Sequence, residues 1–114
     1  MEDCIFCRIA RGEVPADFLY RDDDIMAFND INPAAPTHVL VVPVKHIESL
    51  AHMSAEDEPL VGRMIGAANR LARDGGIAES GYRLVINSGK EGGQVVPHLH
   101  MHLLGGRKLS NGMG

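Results

Sequence analysis

The segment Pro97 to Arg107 reads PHLHMHLLGGR, with His98, His100 and His102 alternating with Leu99, Met101 and Leu103. In a β-strand, residues two apart point to the same side, about 6.6–7 Å from one another. His100 and His102 are therefore expected to share one face, with the apolar residues between them entering the core from the other. Solvated strand faces ordinarily use Thr, Lys, Ser and Glu, so histidine here calls for a chemical reason. One is a metal site. The other is catalysis, since an imidazole titrates near neutral pH and can act as nucleophile, base or acid. Asn87 and the glycine-rich stretch Ser88-Gly89-Lys90-Glu91-Gly92-Gly93 precede this segment. Such a turn can bring backbone amides close to an anion, which favours phosphate chemistry.

The chain has two cysteines, Cys4 and Cys7, spaced as CxxC. This spacing is compatible with zinc, with redox chemistry or with two packed thiols. A redox motif of this kind needs a βαβ context that is missing here, and nearby histidines favour a metal. His52 follows a strand in a loop and is assigned no role.

Around these residues the chain alternates short strands with two helices. Asp3 to Ala10 places Ile5, Phe6 and Ile9 at helical spacing, with Asp3 as cap and Gly12 as terminator. Phe18 to Arg21 and Ile25 to Asn29 are predicted strands around the turn Asp22-Asp23-Asp24. Asn32 to Pro36 is a loop. His38 to Val44 is a β-branched strand whose Pro43 must stand at its end or at a bulge. Ser54 to Asp74 is the long helix, with Ser54 and Asp57 as a capping box and an apolar stripe of Leu60, Met64, Ala67, Ala68 and Leu71. Pro59 belongs in the first turn, so the regular helix is expected to start near Glu56, and Gly75-Gly76 close it. Tyr82 to Asn87 and His98 to Leu104 are the last two strands. The expectation is α+β, with five strands in an antiparallel sheet.

The 114 residues amount to one domain, 1–114. Trp is absent and Phe and Tyr are few, so the core is aliphatic. A formal charge of −4 argues against a nucleic-acid surface. The N-terminus MEDCIFCRIARGE lacks a secretory signal and the longest apolar run, Val39 to Val44, is too short for a bilayer. The expected location is cytoplasmic, with no membrane partner and with reduced thiols.

His98-Leu99-His100-Met101-His102-Leu103-Leu104 resembles the histidine triad (HIT) pattern. Gly92-Gly93-Gln94 and Gly105-Gly106-Arg107 resemble its Hint branch, the histidine triad nucleotide-binding proteins. Ile5-Phe6, Gly12 to Pro15, Ala27 to Pro33, Ala35 to His38 and Pro43 to Ile47 match that branch in the same order. The resemblance covers nearly the whole chain. It implies a HIT-like fold with one long and one short helix, and a sheet extended across a homodimer.

It also implies a hydrolase acting on purine nucleoside 5′-phosphoramidates. His100 would attack the α-phosphorus, expel the amine and form a nucleotidyl-histidine that water converts to the nucleoside monophosphate. An attacking imidazole needs its second nitrogen held by an acceptor such as a backbone carbonyl. By the same resemblance His102 contacts a phosphate oxygen and His38 supports the triad. Asn87 and the amides of Gly93 and Val95 stabilise the phosphoryl oxygens. Asp30 holds the ribose hydroxyls, and Ile5, Phe6, Ile9, Phe28, Asn29 and Ile31 accompany it around the purine. The resemblance also implies a structural zinc site on Cys4, Cys7, His46 and His98, the positions through which some members of the family bind zinc. Eukaryotic relatives carry a serine, thought to assist the leaving amine, where this chain has Val95. The alternatives are a dinucleoside polyphosphate hydrolase of the same family and a zinc-stabilised nucleotide-binding or protein-interaction module.

Overall fold

A computed structural model describes residues 4–112. Five strands, β1 (Phe18–Arg21), β2 (Ile25–Asn29), β3 (Thr37–Pro43), β4 (Tyr82–Val85) and β5 (Met101–Gly105), form one sheet in the order β1-β2-β3-β5-β4. All neighbouring pairs are antiparallel. Helix α2 (Glu58–Asp74) covers one face and the six-residue α1 (Ile5–Ala10) lies on the other. No helix among the described residues is long and apolar enough to cross a membrane.

The central strand β3 reads THVLVVP and is buried from His38 to Pro43. Its near-continuous apolar run reflects burial on both faces. Val39 and Val41, with Ile25, Ala27, Met101 and Leu103, pack against Met64, Ala67, Ala68 and Ala72 of α2. The alternate residues Leu40 and Val42, with Met26 and Phe28, pack against Cys4, Phe6, Cys7 and Ile9. By the same two-residue period His38 and His102 project on the α1 side.

Several boundaries differ from the expectation. Asp3, the expected cap of α1, lies outside the described residues; Cys4 caps the helix, its Sγ accepting from the Cys7 N–H. Gly12 (φ 77°) ends the helix as expected. Ala55–Asp57 form a 3₁₀ turn, and α2 begins only at Glu58, so Pro59 sits where its missing N–H costs nothing. The Asp57 carboxylate accepts from the Ser54 N–H at 3.0 Å, one half of the capping box.

β4 stops at Val85, short of Asn87, and β5 begins at Met101 rather than His98. The cause is the path of the segment between them. Pro97 has no N–H to donate, the His98 N–H bonds the Val96 carbonyl, and the Leu99 N–H bonds the Ile47 carbonyl. Residues 98–100 therefore leave the ladder and follow the chain beyond β3.

Candidate active site

Two histidine clusters meet around His98 to His102. The rings of His100 and His102 stand 5.1 Å apart, on one side as expected. His100 is 7% exposed, and its Nδ1–H donates to the His98 carbonyl at 2.7 Å. A carbonyl only accepts, so this bond places the proton on Nδ1 and leaves the Nε2 lone pair free. The Phe6 ring meets His100 edge-on at 5.1 Å and supports that orientation.

His38 and His102 form a second chain. The Ala34 N–H donates to His38 Nδ1 at 3.0 Å, so the His38 proton is on Nε2. From there it points at His102 Nδ1, 2.9 Å away, and lies 3.5 Å from the Asp30 carboxylate. His102 Nδ1 is thus an acceptor and its own proton is on Nε2. Burial, with smaller contributions from His100 and His38, pushes the His102 pKa down to about 4 while Asp30 opposes the shift. The ring is uncharged at neutral pH and remains a hydrogen-bond donor. Asp30, His38 and His102 also lie close enough to hold a cation. Ligation through His38 Nε2 would strip a ring whose Nδ1 already accepts, so this geometry suits a proton relay better than a metal.

The depressed pKa has a consequence for stability. In the unfolded chain His102 titrates near 6.5. Its contribution is complete above that pH and is lost as pH falls from about 6.5 to about 4. For a half-buried ring this is on the order of 2 kcal/mol. Urea unfolding of wild type and His102→Gln between pH 7 and 4 should show the steeper loss in wild type; equal slopes would refute it.

The second cluster joins Cys4, Cys7, His46 and His98, whose ligand atoms all lie within 4.8 Å of one another. His98 Nδ1 is 3.2 Å from Cys4 Sγ, 3.6 Å from Cys7 Sγ and 3.1 Å from His46 Nδ1, and Cys7 Sγ is 3.3 Å from His46 Nδ1. Thiolates at about 2.3 Å and imidazoles at about 2.0–2.1 Å from a tetrahedral ion put neighbouring donors roughly 3.3–3.8 Å apart, so the four residues fit such an ion. The fully buried His98 donates from Nε2 to the Pro43 carbonyl at 2.8 Å, which aims its Nδ1 lone pair at the cluster. Burial, then the hydrogen bond and charge of Cys4, push the Cys7 thiol up; the charge of a bound cation would act the other way and favour the thiolates.

The remaining sequence-derived positions are distributed as follows. Phe6, Ile9 and Phe28 are buried in the α1-side cluster. Ile5 is 37% exposed beside it, whereas Ile31 is 92% exposed and stands outside it. Asn29 is exposed and bonds Asp17. Asp30 accepts from the Asn32 N–H. Asn87 is half-buried after β4; Gly93 (φ 89°) and Val95, 89% exposed, belong to the turn leading to Pro97. Gln94, to which no role was assigned from sequence, clamps that turn. Its Oε1 accepts from the Gly89 N–H, and its Nε2 donates to the carbonyls of Glu48 and Val96. The Ala34 N–H and Pro43 carbonyl were also missed, because backbone atoms leave no signature in residue type; Gln94, directly after Gly92-Gly93, could have been noticed.

Residues 11–109 match the family model described as HIT domain. The purine nucleoside phosphoramidase of Escherichia coli (strain K12) is 52% identical over 108 residues, covering 95% of this chain and 91% of its own. A HIT family hydrolase from Legionella pneumophila Philadelphia 1 superposes with a TM-score of 0.93 at 46% identity, covering 96% of this chain and 97% of the other. A zinc-bound histidine triad family protein from Mycobacterium smegmatis superposes with a TM-score of 0.82 at 33% identity, covering 96% and 81%. With its histidine triad on β5 and the segment before it, the chain belongs to the HIT family, in the Hint branch.

Proposed function

We propose that this chain hydrolyses the phosphorus–nitrogen bond of purine nucleoside 5′-phosphoramidates through a nucleotidyl-histidine at His100. The observation that carries this reading is the 2.7 Å bond from His100 Nδ1 to the His98 carbonyl, which leaves Nε2 as the nucleophilic lone pair. Nε2 bonds to the α-phosphorus, the P–N bond breaks, and the amine leaves with a proton. Water then attacks the same phosphorus, the P–Nε2 bond breaks, and the nucleoside monophosphate is released. His102, neutral with its proton on Nε2, donates to a phosphoryl oxygen, and His38, oriented by the Ala34 N–H, fixes that tautomer. Asn87 and the amides of Gly93 and Val95 complete the anion cradle. Val95 has no hydroxyl, so the leaving amine takes its proton from another group. Asp30 receives the ribose diol while Ile5, Phe6, Ile9, Phe28, Asn29 and Ile31 surround the base.

Zinc would be held by Cys4, Cys7, His46 and His98 in a four-ligand structural site with no open position for substrate. A homodimer that pairs the outer strand of the sheet would cover an otherwise open edge. The 52% identical phosphoramidase supports the reaction class. Incubation with adenosine 5′-phosphoramidate and, separately, a diadenosine polyphosphate tests it. Faster release of AMP from the phosphoramidate is expected; preference for the polyphosphate selects the sister activity, and turnover of neither selects a binding module.

The cradle itself can be probed. A Cβ at Gly92 would collide with the Ser88 carbonyl oxygen, which is backbone and cannot rotate away. Gly92→Ala should open the turn and lower kcat/KM by about 10–100-fold, the scale of a misplaced phosphate contact. Steady-state kinetics and a thermal melt, compared with wild type, check this; unchanged kcat/KM would remove the turn from the site.

A further inference from the structure

We infer that His98 is a positioning residue through which the metal state of the Cys4–Cys7–His46–His98 cluster sets the reactivity of His100. This rests on His100 being the nucleophile.

His98 holds three attachments at once. Its Nδ1 lies against both thiols and His46, its Nε2 donates to Pro43, and its carbonyl accepts from His100 Nδ1. The ladder between β3 and β5 begins only at Met101. The backbone that aims the His98 carbonyl is therefore anchored by two main-chain bonds, His98 to Val96 and Leu99 to Ile47, and by the His98 ring. α1 completes the linkage: Phe6, between the two cysteines, contacts the rings of both His98, at 5.6 Å, and His100, at 5.1 Å.

A cation changes what holds this unit. Without one, the single lone pair on His98 Nδ1 faces two thiols and an imidazole and can accept from only one donor at a time. With one, all four groups point at a common centre and the ring of His98 is fixed, together with its carbonyl. Displacing a reacting group by about 1 Å can cost about 10²-fold in rate. In the proposed site the nucleotide is held chiefly by His102, the glycine turn and Asp30, so the effect falls on turnover rather than on binding.

The test compares protein stripped by a chelator with the same protein reloaded with zinc, below the melting temperature of the stripped form. Stripping should lower kcat for adenosine 5′-phosphoramidate about 10–100-fold and change the AMP Kd less than about threefold. Nitrogen-15 NMR should show the His100 Nδ1–H signal sharp in the loaded protein and broadened or lost in the stripped one. Unchanged kcat and an unchanged His100 signal would overturn the inference. His98→Cys guards against a merely stabilising role. It keeps four zinc-binding side chains, three thiolates and the imidazole of His46, so zinc content and melting temperature should stay near wild type while kcat still falls, because the ring and its bond to Pro43 are gone. Full activity in this zinc-loaded variant would equally overturn it. Should His100→Ala retain hydrolysis, the nucleophile assignment itself fails, whatever zinc does.

Discussion

His100→Ala should lose phosphoramidate hydrolysis by about 10³-fold or more while binding AMP within about tenfold of wild type. The asymmetry follows from the geometry. Among the described residues His100 Nε2 has no hydrogen-bond partner to replace, whereas the proposed phosphate contacts come from His102 and the glycine turn, and the proposed ribose contact from Asp30. Removing the ring therefore deletes the atom that would bond phosphorus and spares most of the atoms that would hold the product. Alanine also leaves a small void beside Phe6, so His100→Gln provides a fuller-sized comparison. Quenched single-turnover reactions followed by intact mass measurement supply a second readout. Wild type should carry one nucleotidyl adduct, localised to His100, and both variants none. His102→Ala should be the milder lesion, about 10–100-fold, because it removes a donor to the phosphoryl oxygen and keeps the nucleophile. Turnover by His100→Ala within tenfold of wild type, or an adduct mapped to His102, would transfer the nucleophilic role elsewhere.

The parts of this arrangement that were legible in the sequence are those written in residue type and period. β1 and β2 fall on Phe18–Arg21 and Ile25–Asn29 as expected, because the Asp22-Asp23-Asp24 turn separates two short runs; the Asp22 carboxylate indeed accepts from the N–H groups of Asp24 and Ile25. β3 was legible from its β-branched run, with Pro43 at its end. The two groups that the fold brings together, Cys4, Cys7, His46 and His98 and the neighbouring His38 and His102, were legible because His and Cys are costly choices for ordinary surface. The start of β5 was not. Alternation in HLHMHLL continues through His98, but the pattern cannot reveal that the Leu99 N–H is taken by Ile47. The tautomers were equally hidden. They depend on the Pro43 and His98 carbonyls and on the Ala34 N–H, main-chain groups that every residue of similar type would offer. What the sequence required of the proposed nucleophile, an acceptor for its second nitrogen, was a chemical necessity; which atom would serve was a matter of fold. The residues proposed to surround the base are the intermediate case, since Phe6 and Phe28 serve the core whether or not a purine lies beside them.

Metal removal should have the largest effect on stability. Cys4 and Cys7 are both buried, and their helix contributes Phe6 and Ile9 to the cluster on the α1 face of the sheet. α1 has only six residues and cannot persist by its own backbone bonds. A cation bridging it to His46 and His98 ties the N-terminal segment to the chain after β3 and to the triad segment at once. For a dissociation constant about a thousandfold below the free zinc concentration, linkage adds about 4 kcal/mol to folding. In a chain of 114 residues that corresponds to a melting temperature about 15 °C higher. The cluster is reachable, because a cavity of about 400 Å³ lined by Cys4, Ile5, His46 and Val95 to Pro97 opens beside it. Protein purified without chelator should contain close to one zinc per chain and lose about 15 °C on treatment with a strong chelator. Cys7→Ser should melt near the stripped wild type and respond little to chelator, since a serine hydroxyl stays protonated and cannot replace a thiolate. The order of the three curves separates the metal from packing: a serine variant that melts with the loaded wild type, or a chelator shift below about 3 °C, would leave the four residues as packed side chains with no ion to hold.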